Sequence, residues 1–160
     1  MLRTLALTAM LLAPTATFAQ DLPTAPYLPL DLATTAAQAA LEACAAGGHN
    51  VSVAVVARDG ATKVLLKADM SGPHTGSSAE GKAFTAAALG RDAGELADFI
   101  AANPQNDGLR DMDSRFVIQA GGLPIRIGEA LVGGIGVGGA PNGGLDADCA
   151  RAGLTAIGAQ

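Results

Sequence analysis

Residues 121–139, GGLPIRIGEALVGGIGVGG, decide how this chain is read. They hold two short apolar runs, Leu123–Ile127 and Leu131–Val137, joined at Gly128-Glu129-Ala130. Apolar runs on either side of so short a glycine-bearing link form a tight β-hairpin. Glycine is frequent through the stretch, and a glycine inside a strand marks a bulge or the close approach of another backbone or a ligand. Crowding by a helix and approach by a ligand both remain open from the sequence.

Working outward, Val51–Ala57, VSVAVVA, is β-branched and almost continuously apolar, the pattern of a central strand covered on both faces. Arg58-Asp59-Gly60-Ala61 is turn chemistry, and Lys63–Ala68 returns as the partner strand. Phe116–Ala120, FVIQA, reads as a further strand, which with the hairpin predicts five in all. Asp31 is the expected N-cap of a helix whose apolar face is Ala33, Ala37, Ala40, Leu41 and Cys44, stopped by Gly47-Gly48. A loop from Asp69 to Gly76 precedes a helix running to Leu89, capped by Ser77 or Ser78, with Ser77 and Glu80 in capping-box spacing. Asp92 opens a short helix, and Leu109–Met112 adds a turn. After the glycine-rich loop Ala140–Gly144 comes a last helix, capped by Asp146. The predicted order is α-β-β-α-α-β-β-β-α. Consecutive strands joined by tight turns pair antiparallel, so the fold class is α+β with a five-stranded antiparallel sheet layered with helices.

Met1–Ala19 has a cationic start at Arg3, an apolar run Leu5–Ala13 and small residues at Thr17 and Ala19, the pattern of a secretory signal peptide cleaved after Ala19. An extended proline-rich leader, 20–29, and one domain, 30–160, come after it. The expected location is periplasmic or secreted. No later stretch is long and apolar enough to span a bilayer. The formal net charge of −5 becomes −6 once Arg3 leaves with the leader. An acidic chain without a basic run is a poor partner for nucleic acid or anionic lipid. Cys44 and Cys149 would meet an oxidising compartment, where a bridge is expected, though two buried free thiols remain an alternative.

The ordered pieces resemble one family. They are Val51–Ala57 with Asp59-Gly60, Gly72-Pro73-His74-Thr75, Lys82-Ala83 with Thr85-Ala86, Gly121–Ile125, Val132–Gly139, and Asp146 with Ala150. Together they resemble the GlcG/HbpS family of haem-binding proteins, relatives of the PduO C-terminal domain, over residues 28 to 158. The resemblance implies a profilin-like layering of helices around the sheet, homo-oligomers, and binding of haem or a related tetrapyrrole. One departure is Gly138-Gly139, where the family more often has serine before the second glycine.

A ferric haem needs an axial donor, most often histidine. Of His49 and His74, the latter lies in a Gly/Pro loop before a helix and is the expected iron ligand; His49 precedes a buried strand. Met70 is a possible second donor. Thr75 would assist by hydrogen bonding, and Lys82 or Arg126 would pair with a propionate; Lys82 has the alternative of bonding a loop carbonyl or a carboxylate such as Asp59. No GxSxG elbow, CxxC pair or phosphate loop is present, so catalysis by the usual groups is not indicated. The competing reading is a small-metabolite enzyme, or an enzyme accessory protein, with a pocket around Lys82, Thr85 and Gly121-Gly122.

Overall fold

The structure, a computed structural model, describes residues 24–160. The expected signal peptide and the first residues of the proline-rich leader lie outside the described residues. Along the chain run α1 (Leu30–Ala46), β1 (Ser52–Ala57), β2 (Thr62–Lys67), α2 (Thr75–Leu89), α3 (Ala93–Ala102), a 3₁₀ helix (Pro104–Asp111), β3 (Gly122–Ile127), β4 (Ala130–Gly138) and α4 (Gly143–Ala156). The four strands form one antiparallel sheet in the order β2-β1-β4-β3.

Strand alternation divides the core in two. Val53, Val55, Ile135 and Val137 face α1 and α4, where Ala33, Ala36, Ala37, Ala40, Ala150 and Leu154 complete the packing. Ala54 and Val56 point to the other face, against Ala79, Ala83, Phe84 and Ala87 of α2. On that face β4 contributes Gly134 and Gly136, and this resolves the glycine question: α2 lies on bare strand backbone. A Cβ at Gly136 would sit 2.5 Å from Ala83 N, and one at Gly134 would sit 2.7 Å from Ala87 N. Gly138 is likewise close to Ser78, where a Cβ would come within 2.9 Å of Oγ, so a serine at 138 would require the Ser78 side chain to turn aside. Cys44 of α1 and Cys149 of α4 are joined in a disulfide with Cα atoms 5.4 Å apart.

Several expectations need correction. Phe116–Ala120 is not a fifth strand. Its main chain is held by neighbouring groups and not by a ladder: Val117 N donates to Thr85 Oγ1 at 3.0 Å, and Gln119 N donates back to Val117 O at 3.1 Å. Its side chains are used on opposite sides, Phe116 on Phe84 of α2 and Ile118 on Leu96 and Ile100 of α3. The β3 edge is partly occupied too, because Arg126 and Gln160 exchange main-chain hydrogen bonds of 2.9 and 3.0 Å. The element order therefore loses one strand.

The caps also differ. Pro29, not Asp31, stands at the α1 N-cap, with Asp31 inside the first turn, where its charge suits the helix dipole. Helix α2 starts at Thr75, so His74 takes the cap position, without a side-chain capping bond, while Ser77 and Ser78 lie inside the helix. Asn142 caps α4 by accepting from Leu145 N. Asp92 caps α3 as expected, accepting from Gly94 N and Glu95 N.

Candidate functional site

The loop from Asp69 to His74 is fixed from below. Lys67 at the end of β2 sends its ammonium into it, donating to Ser71 O (2.9 Å), Ser71 Oγ (2.6 Å), Gly72 O (2.7 Å) and Thr75 Oγ1 (3.2 Å). Thr75 gives its hydrogen to Gly72 O at 2.8 Å, so the 2.8 Å contact with Ser52 has Ser52 as donor. The hydroxyl of Thr75 thus has internal partners, and the residue is buried. The loop exposes His74, together with Asp69, Met70 and Pro73. Its ring lies over Gly72, where a Cβ would approach Cε1 to 2.9 Å and Nδ1 to 3.1 Å. Cε1 and Nδ1 are thus the ring atoms that lie against that backbone.

His74 stands between two cavities. One, of about 550 Å³, is an apolar groove over α2, floored by Val56, Phe84 and Val117 and rimmed by His74, Glu80 and Arg115. The other, of about 630 Å³, is polar and lies between α2, α3 and the start of α4, with Lys82, Asp98, Gln119 and Asp146 in its wall. The groove exists because the 113–117 segment lies hard on α2 at Gly81, where a Cβ would fall 2.9 Å from Arg115 O.

The remaining expected site residues do not converge on the imidazole. Lys82, 3 % exposed, donates to Asp146 Oδ2 at 2.8 Å and to Val137 O at 3.0 Å, and Asp146 Oδ1 accepts from Ala140 N at 3.0 Å. This ion pair ties α2, the end of β4 and α4 together. Its carboxylate is Asp146 and not Asp59, which accepts from Ala61 N in the β1–β2 turn. Arg126 donates to Gly90 O just past the C-terminus of α2. That helix has 15 residues, so Arg126 is about 22 Å along it from His74. Met70 projects fully, 91 % exposed, from a left-handed backbone at φ 65°. His49 is half-buried at the end of α1, its main-chain N–H donating to Cys44 O at 3.0 Å.

Sequence reading passed over Arg115 and Asp113. Arg115 Nε and Nη2 donate to Asp113 Oδ1 and Oδ2 at 2.9 and 2.6 Å, and its guanidinium lies 3.8 Å from the centre of the Phe84 ring. These hydrogen bonds hold the Asp113 carboxyl down at about 2. The signal was the Asp-x-Arg spacing before Phe116, hidden by taking residues 116–120 as a strand. Among the described residues no group of three or more His, Cys, Asp or Glu could hold a metal ion, and no helix is long and apolar enough to cross a membrane.

An exposed imidazole beside an apolar groove suits a flat ligand needing one nitrogen donor. The comparisons with known proteins run in the same direction. The family model HbpS-like, described as haem degrading protein HbpS-like, matches residues 28–155. The crystal structure of a double mutant of Streptomyces reticuli HbpS is 44 % identical, superposes with a TM-score of 0.80, and is matched over 89 % of this chain and 95 % of that one. Two others share the fold at 23 % identity: Klebsiella pneumoniae protein ORFY (TM-score 0.80; 91 % of this chain, 99 % of that one) and a PduOC:heme complex (TM-score 0.77; 84 % and 98 %). No curated protein gives a significant match. With the family model spanning nearly all of the described residues and an HbpS structure at this identity, the chain belongs to the HbpS-like family.

Proposed function

We propose that this protein binds haem or a closely related tetrapyrrole, with His74 as the nitrogen donor to the iron and the Val56–Phe84–Val117 groove as the surface that takes the ring. The observation carrying the reading is the exposed imidazole at the lip of an apolar groove in a chain of the HbpS-like family. When bound, the iron porphyrin supplies the redox and ligand-binding chemistry. The chain's own part is to hold the His74 imidazole at the groove through the Lys67-anchored loop and to keep water from one face of the ring through Val56, Phe84 and Val117. The sequence pattern of Met1–Ala19 supports an exported protein, periplasmic or secreted, acting in haem sequestration, carriage or sensing, and the family resemblance supports a homo-oligomer.

The competing small-metabolite reading draws little from the geometry. Thr85 donates to Gly81 O at 2.8 Å and accepts from Val117 N, Lys82 is engaged by Asp146, and Gly121 and Gly122 are buried. Titration of the mature protein with hemin separates the two. A sharpened Soret band that His74→Ala weakens and His49→Ala leaves intact is expected. A titration indistinguishable from free hemin removes the proposal, and stabilisation by a small acid or aldehyde but not by tetrapyrroles favours the competitor.

A further inference from the structure

A tetrapyrrole in this groove brings two propionates with it, and a carboxylate leaving water needs a hydrogen-bonding cation. Four other cations of the chain are already engaged or lie elsewhere. Lys82 is closed into the Asp146 pair, Lys67 is surrounded by four oxygens of the loop, Arg126 lies at the far end of α2, and Arg110 donates to Asp107 at 3.0 Å. Arg115 differs. It lines the same groove as His74, and its guanidinium carbon lies over the Phe84 ring, 3.8 Å from the ring centre.

The guanidinium has five donors in a fixed fork. Asp113 takes the Nε–H and one Nη2–H, and among the described residues Nη1 makes no hydrogen bond. The end-on edge formed by Nη1 and the second Nη2–H is therefore still able to receive a carboxylate through two parallel bonds. Its orientation is set from two sides, by the Asp113 fork and by the Phe84 face, so little side-chain freedom is lost when a second carboxylate arrives.

Resting on the tetrapyrrole reading above, we propose that Arg115 is the propionate-recognition residue of this protein, receiving a ligand carboxylate on its Nη1–Nη2 edge while Asp113 holds it in place, and that this contact makes the groove selective for free-acid tetrapyrroles. Neither Lys82 nor Arg126 has that role. Asp113 orients the guanidinium and also places a negative charge beside the incoming carboxylate.

The test compares ferric mesoporphyrin with its dimethyl ester, which keeps the ring and the iron but removes both carboxylates. Wild-type protein is expected to prefer the free acid by about tenfold, the size of one charge-assisted contact. Arg115→Gln is expected to bind both forms about equally, with the His74-dependent Soret position unchanged, because the side chain is 59 % exposed and its loss leaves the fold alone. Arg115→Lys, which lacks the fork, should recover only part of the preference. Asp113→Asn should retain it. An undiminished acid-over-ester preference in Arg115→Gln overturns the assignment of Arg115 while leaving haem binding in place. Failure of the wild-type protein to take up either porphyrin overturns both.

Discussion

Removing the carboxylate of Asp146 tests what Lys82 is for. In the folded chain the ammonium sits 3 % exposed between Asp146 Oδ2 and Val137 O. Asp146→Asn keeps an acceptor for Ala140 N but leaves the Lys82 charge facing a carbonyl and an amide. Breaking one side of a buried pair in this way costs about 3–5 kcal/mol, because the remaining charge is uncompensated. For a domain of this size each kcal/mol moves the midpoint by about 3–4 °C, so Tm should fall by about 9–20 °C. The assay is urea unfolding together with a thermal melt, with an unchanged m-value showing that the loss is in stability and not in the compactness of the unfolded state. Lys82→Met combined with Asp146→Leu replaces the pair by apolar groups and should recover most of the loss. If Asp146→Asn costs less than about 1 kcal/mol, or if the double variant is as unstable as the sum of the singles, the pair is not the fastener described above. Lys82 would then be available to a ligand.

Gly136→Ala puts a Cβ 2.5 Å from Ala83 N, so α2 must lift off β4; a loss of at least about 3 kcal/mol, or no folded product, is expected in the same unfolding assay. Replacing Cys44 and Cys149 by alanine opens a bridge of sequence separation 105 and should lower stability by about 5 kcal/mol in the chain-entropy account, measured against the oxidised parent. Asp113 should stay ionised down to about pH 2, as read by carboxyl NMR, and Arg115→Gln should return it towards 3.8. Because its folded value is lowered, any stability it supplies is present above pH 3.8 and lost as the pH falls towards 2. Solvent exposure keeps that contribution small.

The hairpin at residues 121–139 was readable because its two apolar runs and the Gly128-Glu129 link leave one backbone solution, and the structure pairs Ile127 with Ala130 across it. Asp92 was readable for the same local reason: its carboxylate meets amides two and three residues ahead. The fifth strand failed because Phe116 and Ile118 have the composition of a strand but serve two different helices, a tertiary fact with no local signature. The Asp146 cap failed similarly, since its carboxylate is claimed by a lysine 64 positions away. His74 was singled out by its loop and by family resemblance, and the structure does expose it. Its neighbours were another matter. Thr75, Lys82 and Arg126 were named from nearness in sequence or from charge, whereas the groove walls come from β1, α2 and the 113–117 segment, brought together only by folding.

The bond expected between His74 and iron is the central claim, and cavity rescue measures it most directly. His74→Gly protein loaded with ferric haem should show a Soret band shifted and weakened relative to wild type, and added free imidazole should restore the wild-type spectrum. A His74→Gly spectrum already identical to wild type, with no response to imidazole, contradicts the ligation on which the proposed function rests.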